Sequence, residues 1–194
     1  NAEVLQYKGD GNEWTQNIID QTKHMGKLIN QLLVLAKLDE VQEKSEKQEA
    51  DLKLLLEETT RPFEEVATQK KVTLKLHLEE GVTIRVNREQ IAQLVSILTE
   101  NAAKYVNDGG KIVWRLTKTQ HGAVLVVKNT TEKELPDTKR MFDRFYRSDS
   151  SRSSKTGGQG IGLSIAKKIV DSHKGSITAK AGDGMVTFRV SLPK

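Results

Sequence analysis

Between Thr156 and Val170 the chain reads TGGQGIGLSIAKKIV, with glycines at 157, 158, 160 and 162. They run into a segment whose Leu163, Ile165, Ala166, Ile169 and Val170 recur at helical spacing. Glycine lets backbone N–H groups come close to an anion, and a following helix N-terminus adds a dipole that favours phosphate. The same pattern also suits a plain helix-capping loop. It is not a P-loop, which needs Lys then Ser/Thr after the last glycine and a strand before the turn.

A second stretch, LTENAAKYV, spans Leu98 to Val106. On a helix Asn101, Lys104 and Tyr105 fall at i, i+3 and i+4 and share one face. An amide oxygen for a metal ion, an ammonium for a phosphate and a ring for a base make a coherent nucleotide face, although a solvated polar face has the same composition. A third stretch, MFDRFYRSD from Met141 to Asp149, sets Arg144 and Arg147 between aromatics. Phe142 and Phe145 are expected to pack as a hydrophobic anchor.

Composition narrows the choice. The chain has 194 residues, enough for one domain and a smaller appendage. Without cysteine there are no disulfides, thiolate metal sites or cysteine nucleophiles. His24, His77, His121 and His173 lack metal-ligand spacing. Residues 1–50 carry six Lys/Arg and nine Asp/Glu, a net of −3, whereas the remainder carries 25 and 17, a net of +8. A basic domain attracts polyanions. Aromatics at 5% with no interleaved basic tract make nucleotide a better ligand than nucleic acid. No apolar run approaches the roughly 20 residues of a membrane span.

The elements that must position these groups follow from periodicity. Trp14, Ile18, Met25, Ile29, Leu32 and Ala36 form one apolar stripe over residues 11–40, widened by Leu28, Leu33 and Leu35, which calls for a partner helix. Asn1 to Tyr7 reads as the tail of an earlier helix, joined through Gly9-Asp10-Gly11-Asn12 in a hairpin. A helical cap on the main domain is the plainer alternative. Residues 41–50, VQEKSEKQEA, read as a charged linker.

Beyond the linker the pattern predicts a helix at about 52–69, strands at 72–78 and 83–86, and a helix over 88–105 capped by Asn87. Strands at 111–117 and 123–128, a helix near 160–172, and a hairpin of 177–179 with 185–192 around Gly182-Asp183-Gly184 complete it. The expected fold is α+β, a two-layer α/β sandwich with helices on one face of a mixed sheet.

Taken in order, the three stretches make the chain similar to the ATP-binding domain of sensor histidine kinases of two-component systems, of the GHKL ATPase type. ENAAKY resembles that family's N box, MFDRFYR its F box and GGQGIGL its second glycine box. The roughly ten residues between the last two resemble the family's ATP lid. NEWTQNIIDQTKHMGKLINQLLVLAKLDE looks like the second helix of the dimerisation and phosphotransfer hairpin, and NAEVLQ like the end of its first.

The resemblance implies two parts: residues 1–48 as the C-terminal part of the hairpin and 49–194 as the catalytic domain. It implies Mg-ATP as cofactor, with Asn101 as the Mg²⁺ ligand, Lys104 as a phosphate contact and Tyr105 against the adenine. Gly158, Gly160, Ile161, Gly162 and Leu163 would shape the lid hinge and phosphate turn, while Arg144, Arg147, Arg152 and Lys155 would reach the γ-phosphate.

It further implies homodimerisation through the hairpin, a response regulator receiver domain as partner, and a place on the cytoplasmic side of a membrane sensor tethered by segments upstream. The family's acceptor lies in a His–acidic–Arg motif, which none of the four histidines here begins, so this stretch is not expected to phosphorylate itself.

Departures are specific. Where the family's first glycine box has an Asp and a glycine turn, this chain has Lys128-Asn129-Thr130-Thr131, with Asn129 the best match for the adenine acceptor. Ile97 stands where many relatives carry a second Asn, and His173, in His173-Lys174-Gly175, is expected to be structural. A catalytically silent module that dimerises and docks a response regulator is therefore the alternative. A chaperone- or topoisomerase-type ATPase, with Glu100 as base, is a more distant one.

Overall fold

The computed structural model describes residues 13–40, 46–132, 137–146 and 160–194. The chain divides into two compact units, residues 1–40 and 41–194. In the first, α1 (Glu13–Glu40) is a 28-residue helix. Trp14, Ile18, Met25, Ile29 and Leu33 stand exposed along it at intervals of four or seven, one continuous stripe. The expected preceding helix, residues 1–7, lies outside the described residues.

The second unit begins with β1 (Gln48–Asp51), α2 (Leu52–Thr60) and α3 (Pro62–Gln69). Two expectations are corrected here. Residues 48–50, read as linker, form a strand, paired antiparallel with β3 (Thr83–Val86). The expected helix over 52–69 is two helices, broken at Arg61-Pro62 because proline has no N–H to continue the ladder. Asp51 caps α2, its carboxylate accepting from the N–H groups of Lys53 and Leu54.

The main sheet has the order β2 (Thr73–Leu78), β4 (Lys111–Thr119), β5 (Gly122–Thr130), β7 (Met185–Pro193), β6 (Ser176–Gly182). Only β2 and β4 are parallel. The crossover between them holds β3 and α4 (Arg88–Tyr105), as a parallel pair requires. The left-handed pair Asp183 and Gly184 closes the β6–β7 turn.

Register stacks the core in rows across the sheet. Leu76, Trp114, Val127, Phe188 and Ala179 align, flanked by Leu74, Ile112, Asn129, Val186 and Ala181. Against this apolar side pack α4, through Ile91, Leu94, Val95, Leu98 and Ala102, and α5 (Gly162–Ser172), through Ile165, Ala166, Ile169 and Val170. The result is the expected two-layer mixed sandwich.

Candidate nucleotide-binding site

Asn87 starts α4, its side-chain oxygen accepting from the N–H of Gln90 at 2.9 Å. The apolar stripe turns to the sheet and leaves Ile97, Asn101, Lys104 and Tyr105 half-buried on another part of the surface. Their spacing of four, three and one makes that surface continuous along the last two turns. The Lys104 ammonium lies 5.1 Å from the centroid of the Tyr105 ring, a cation–π distance.

The N-terminus of α5 abuts this surface. A Cβ placed on Gly162 would meet Cγ2 of Ile97 at 3.5 Å, one turn of α4 before Asn101. Ile161 stands at the N-cap of α5, and its apolar side chain makes no capping hydrogen bond. Such a helix start presents backbone N–H donors and the positive end of the dipole, the chemistry of an anion site. Ile161 is fully buried and anchors the start, while Leu163 is half-buried. Ser164 turns inward, its hydroxyl donating to the Ile161 carbonyl at 2.8 Å.

Just before the helix, Gly160 holds φ at +71°. Its carbonyl accepts from the Phe145 N–H at 2.8 Å. A Cβ there would lie 2.7 Å from the Tyr146 carbonyl oxygen, so only glycine fits this approach of two backbones. Residues 146 and 160 are thereby brought side by side. Phe142 packs on Phe188 of the core, edge to face at 6.3 Å. Phe145 corrects its expectation: it is 64% exposed, because a left-handed φ of 63° turns it from the core. Arg144 is exposed. Arg140, absent from the sequence-based candidates, lies over the Tyr146 ring at 5.1 Å and pairs with Asp143.

Asn129 is 2% exposed, in the core row beside Ile112 and Val186. Its amide nitrogen donates to the Thr130 carbonyl at 3.1 Å. Arg147, Arg152, Lys155 and Gly158 lie outside the described residues. Among the described residues no group of three or more His, Cys, Asp or Glu could hold a metal ion. An ion here would need oxygens from Asn101 and from a bound phosphate, which suits Mg²⁺.

Sequence reasoning missed the close approach of Gly162 to Ile97 between the two helices. Helix packing brings them together, and no local pattern carries that.

Comparison with known proteins agrees with this fold. The profile of the family described as "Histidine kinase-, DNA gyrase B-, and HSP90-like ATPase" matches residues 86–194. The chain is 32% identical over its whole length to the "Sensor protein DltS" of Streptococcus agalactiae, covering 49% of that protein. To the "Sensor histidine kinase RppB" of Synechocystis it is 34% identical, over 89% of this chain and 39% of the relative. The chain thus spans about half or less of these relatives.

Among solved structures the catalytic domain of histidine kinase ThkA superposes with a TM-score of 0.69 at 25% identity, covering 77% of this chain and 96% of that one. ThkA in complex with the response regulator protein TrrA superposes at 0.74 and 20%, over 94% and 51%, a likeness of fold. The chain belongs to the histidine kinase-, DNA gyrase B- and HSP90-like ATPase family, and its catalytic unit is the ATP-binding domain of a sensor histidine kinase.

Proposed function

We propose that this chain is part of the kinase core of a two-component sensor, holding Mg-ATP for phosphoryl transfer to a histidine and onward to a response regulator. The observation that carries this reading is the approach of Gly162 to Ile97, close enough that an added Cβ would meet Cγ2 of Ile97 at 3.5 Å, which sets a helix start with an apolar N-cap residue one turn from Asn101. Phosphoryl transfer asks chiefly for positioning and charge neutralisation. In this reading Asn101 ligates Mg²⁺, Lys104 contacts phosphate, Tyr105 lies against the adenine and Asn129 accepts from its amino group. Gly158 and the backbone of Gly160 to Leu163 form the phosphate turn. Arg144, Arg147, Arg152 and Lys155 approach the γ-phosphate.

Residues 1–48 serve in the same reading as part of a dimerising phosphotransfer hairpin. The exposed stripe on α1 supports this, since an exposed apolar face of five large residues suits a helix–helix interface. The parent protein is then a membrane sensor with this part in the cytoplasm. A response regulator receiver domain is the partner, as the ThkA complex has for its own kinase.

Incubation with γ-labelled ATP and a separately supplied acceptor hairpin tests the proposal, and label on the hairpin histidine is the expected result. A second reading, a silent docking module, is favoured by the neutral Asn129 at the adenine position. It predicts no transfer together with intact binding of the receiver domain.

A further inference from the structure

Within its five strands, the side of the main sheet turned away from α4 and α5 carries one sign of charge; the carboxylate of Glu79, just past β2 at the corner, accepts from the Lys118 N–H. Register places Lys75, Val113, Lys128, Thr187 and Lys180 in one row, and His77, Arg115, Val126, Arg189 and Thr178 in the next. Cations therefore occupy every second strand in each row, offset by one strand between rows, and Lys111 extends the pattern. This spacing keeps like charges from lying directly opposite one another, where they would repel. All six Lys and Arg side chains are exposed, and none forms an ion pair with a described residue. No Asp or Glu of the five strands falls on this side. A solvated face kept only for solubility mixes both signs; this one does not.

We propose that this face docks on an anionic lipid bilayer. A protein partner fits poorly, because interface cores are enriched in aromatics and depleted of Lys, whereas this face has no aromatic residue other than the rim imidazole of His77. Single-stranded nucleic acid needs aromatic platforms for its bases, which are missing too. Duplex DNA admits a helix or a two-stranded ribbon into a groove of about 12 Å, and five strands at about 4.8 Å span roughly 19 Å. A broad array of unpaired cations with only Val and Thr between them matches a surface of phosphate headgroups without inserting into it. The inference is independent of the nucleotide site, which lies on the helical side.

The test is co-sedimentation of the whole chain with vesicles of equal parts phosphatidylglycerol and phosphatidylcholine, against pure phosphatidylcholine. Binding is expected only to the former, and is lost as salt approaches about 1 M, where the screening length is about 3 Å. The triple variant R115Q/K128Q/R189Q should bind at least about tenfold more weakly, each cation being worth about fivefold. The charge-reversed R115E/K128E/R189E should not bind. Melting and nucleotide affinity, unchanged in the Gln triple, separate this loss from misfolding or failure of the kinase site. An equal loss in the control K23Q/K139Q/K167Q would overturn the proposal, as would no binding to anionic vesicles. So would binding of a short duplex DNA as tight as that of the vesicles and equally weakened by the Gln triple.

Discussion

The Nε2 atom of His173 accepts the backbone N–H of Asn87 at 3.1 Å, while its Nδ1 lies 2.7 Å from the Ile169 carbonyl. One neutral imidazole thus joins the end of α5 to the cap of α4, the two helices that frame the candidate nucleotide surface. It is the structural role expected of this histidine. Burial, at 3% exposure, pushes its pKa below the usual value; the bond to Ile169 opposes this, and Lys47 nearby adds to it.

A pH dependence follows. Above the unfolded pKa of about 6.5 the imidazole is neutral in both states and the stability is fully present. As pH falls from there through the depressed folded pKa, the unfolded chain takes up the proton first, so stability is lost. The melting temperature should fall between about pH 7 and 5. In His173→Ala, destabilised by about 2–4 kcal/mol from the lost packing and the orphaned Asn87 N–H, this part of the fall should vanish. Calorimetric melts over that range check both, and an unaltered pH slope in the variant would contradict the assignment.

Gly160→Ala places a methyl group 2.7 Å from the Tyr146 carbonyl oxygen at a left-handed φ. Strain of about 1–3 kcal/mol is expected locally, with the sheet unaffected. Nucleotide affinity should fall by at least about tenfold, because the strain displaces the start of α5. Fluorescent-nucleotide titration beside a thermal melt measures this. An affinity equal to that of the parent chain would show that the Phe145–Gly160 junction does not set the phosphate turn.

Asn129→Asp restores a carboxylate where the family has one. The buried charge, and loss of the bond to the Thr130 carbonyl, should lower the stability of the nucleotide-free chain by about 1–3 kcal/mol. Affinity for ADP should rise nonetheless, since a charge-assisted bond to the adenine amino group is stronger than a neutral one. Loss of affinity in a folded variant would remove Asn129 from the adenine site.

Features were legible in the sequence to the extent that their structure is local. The capping Asn87, the 18-residue helix after it and the Asp183-Gly184 turn depend on local chemistry, and all could be read. The strand Gln48–Asp51 could not, because QEAD has no strand propensity and is held by pairing with Thr83–Val86. Phe145 misled for the opposite reason: its type signals the core, but the backbone bond to Gly160 sets its direction. Asn101, Lys104 and Tyr105 could be placed on one face from spacing alone. The helix start beside Ile97, one turn before Asn101, is a product of packing between segments far apart in the chain.

The central claim is that Asn101 and the N-terminus of α5 hold a Mg-nucleotide between them. Titration calorimetry of ADP into the chain, with and without Mg²⁺, tests it most directly when repeated on Asn101→Ala. The account predicts Mg-dependent heat for the parent chain and a loss of at least about tenfold in the variant, the cost of one ligand to a charged centre. No heat at millimolar nucleotide, or an affinity in Asn101→Ala that matches the parent with Mg²⁺ present, would contradict it.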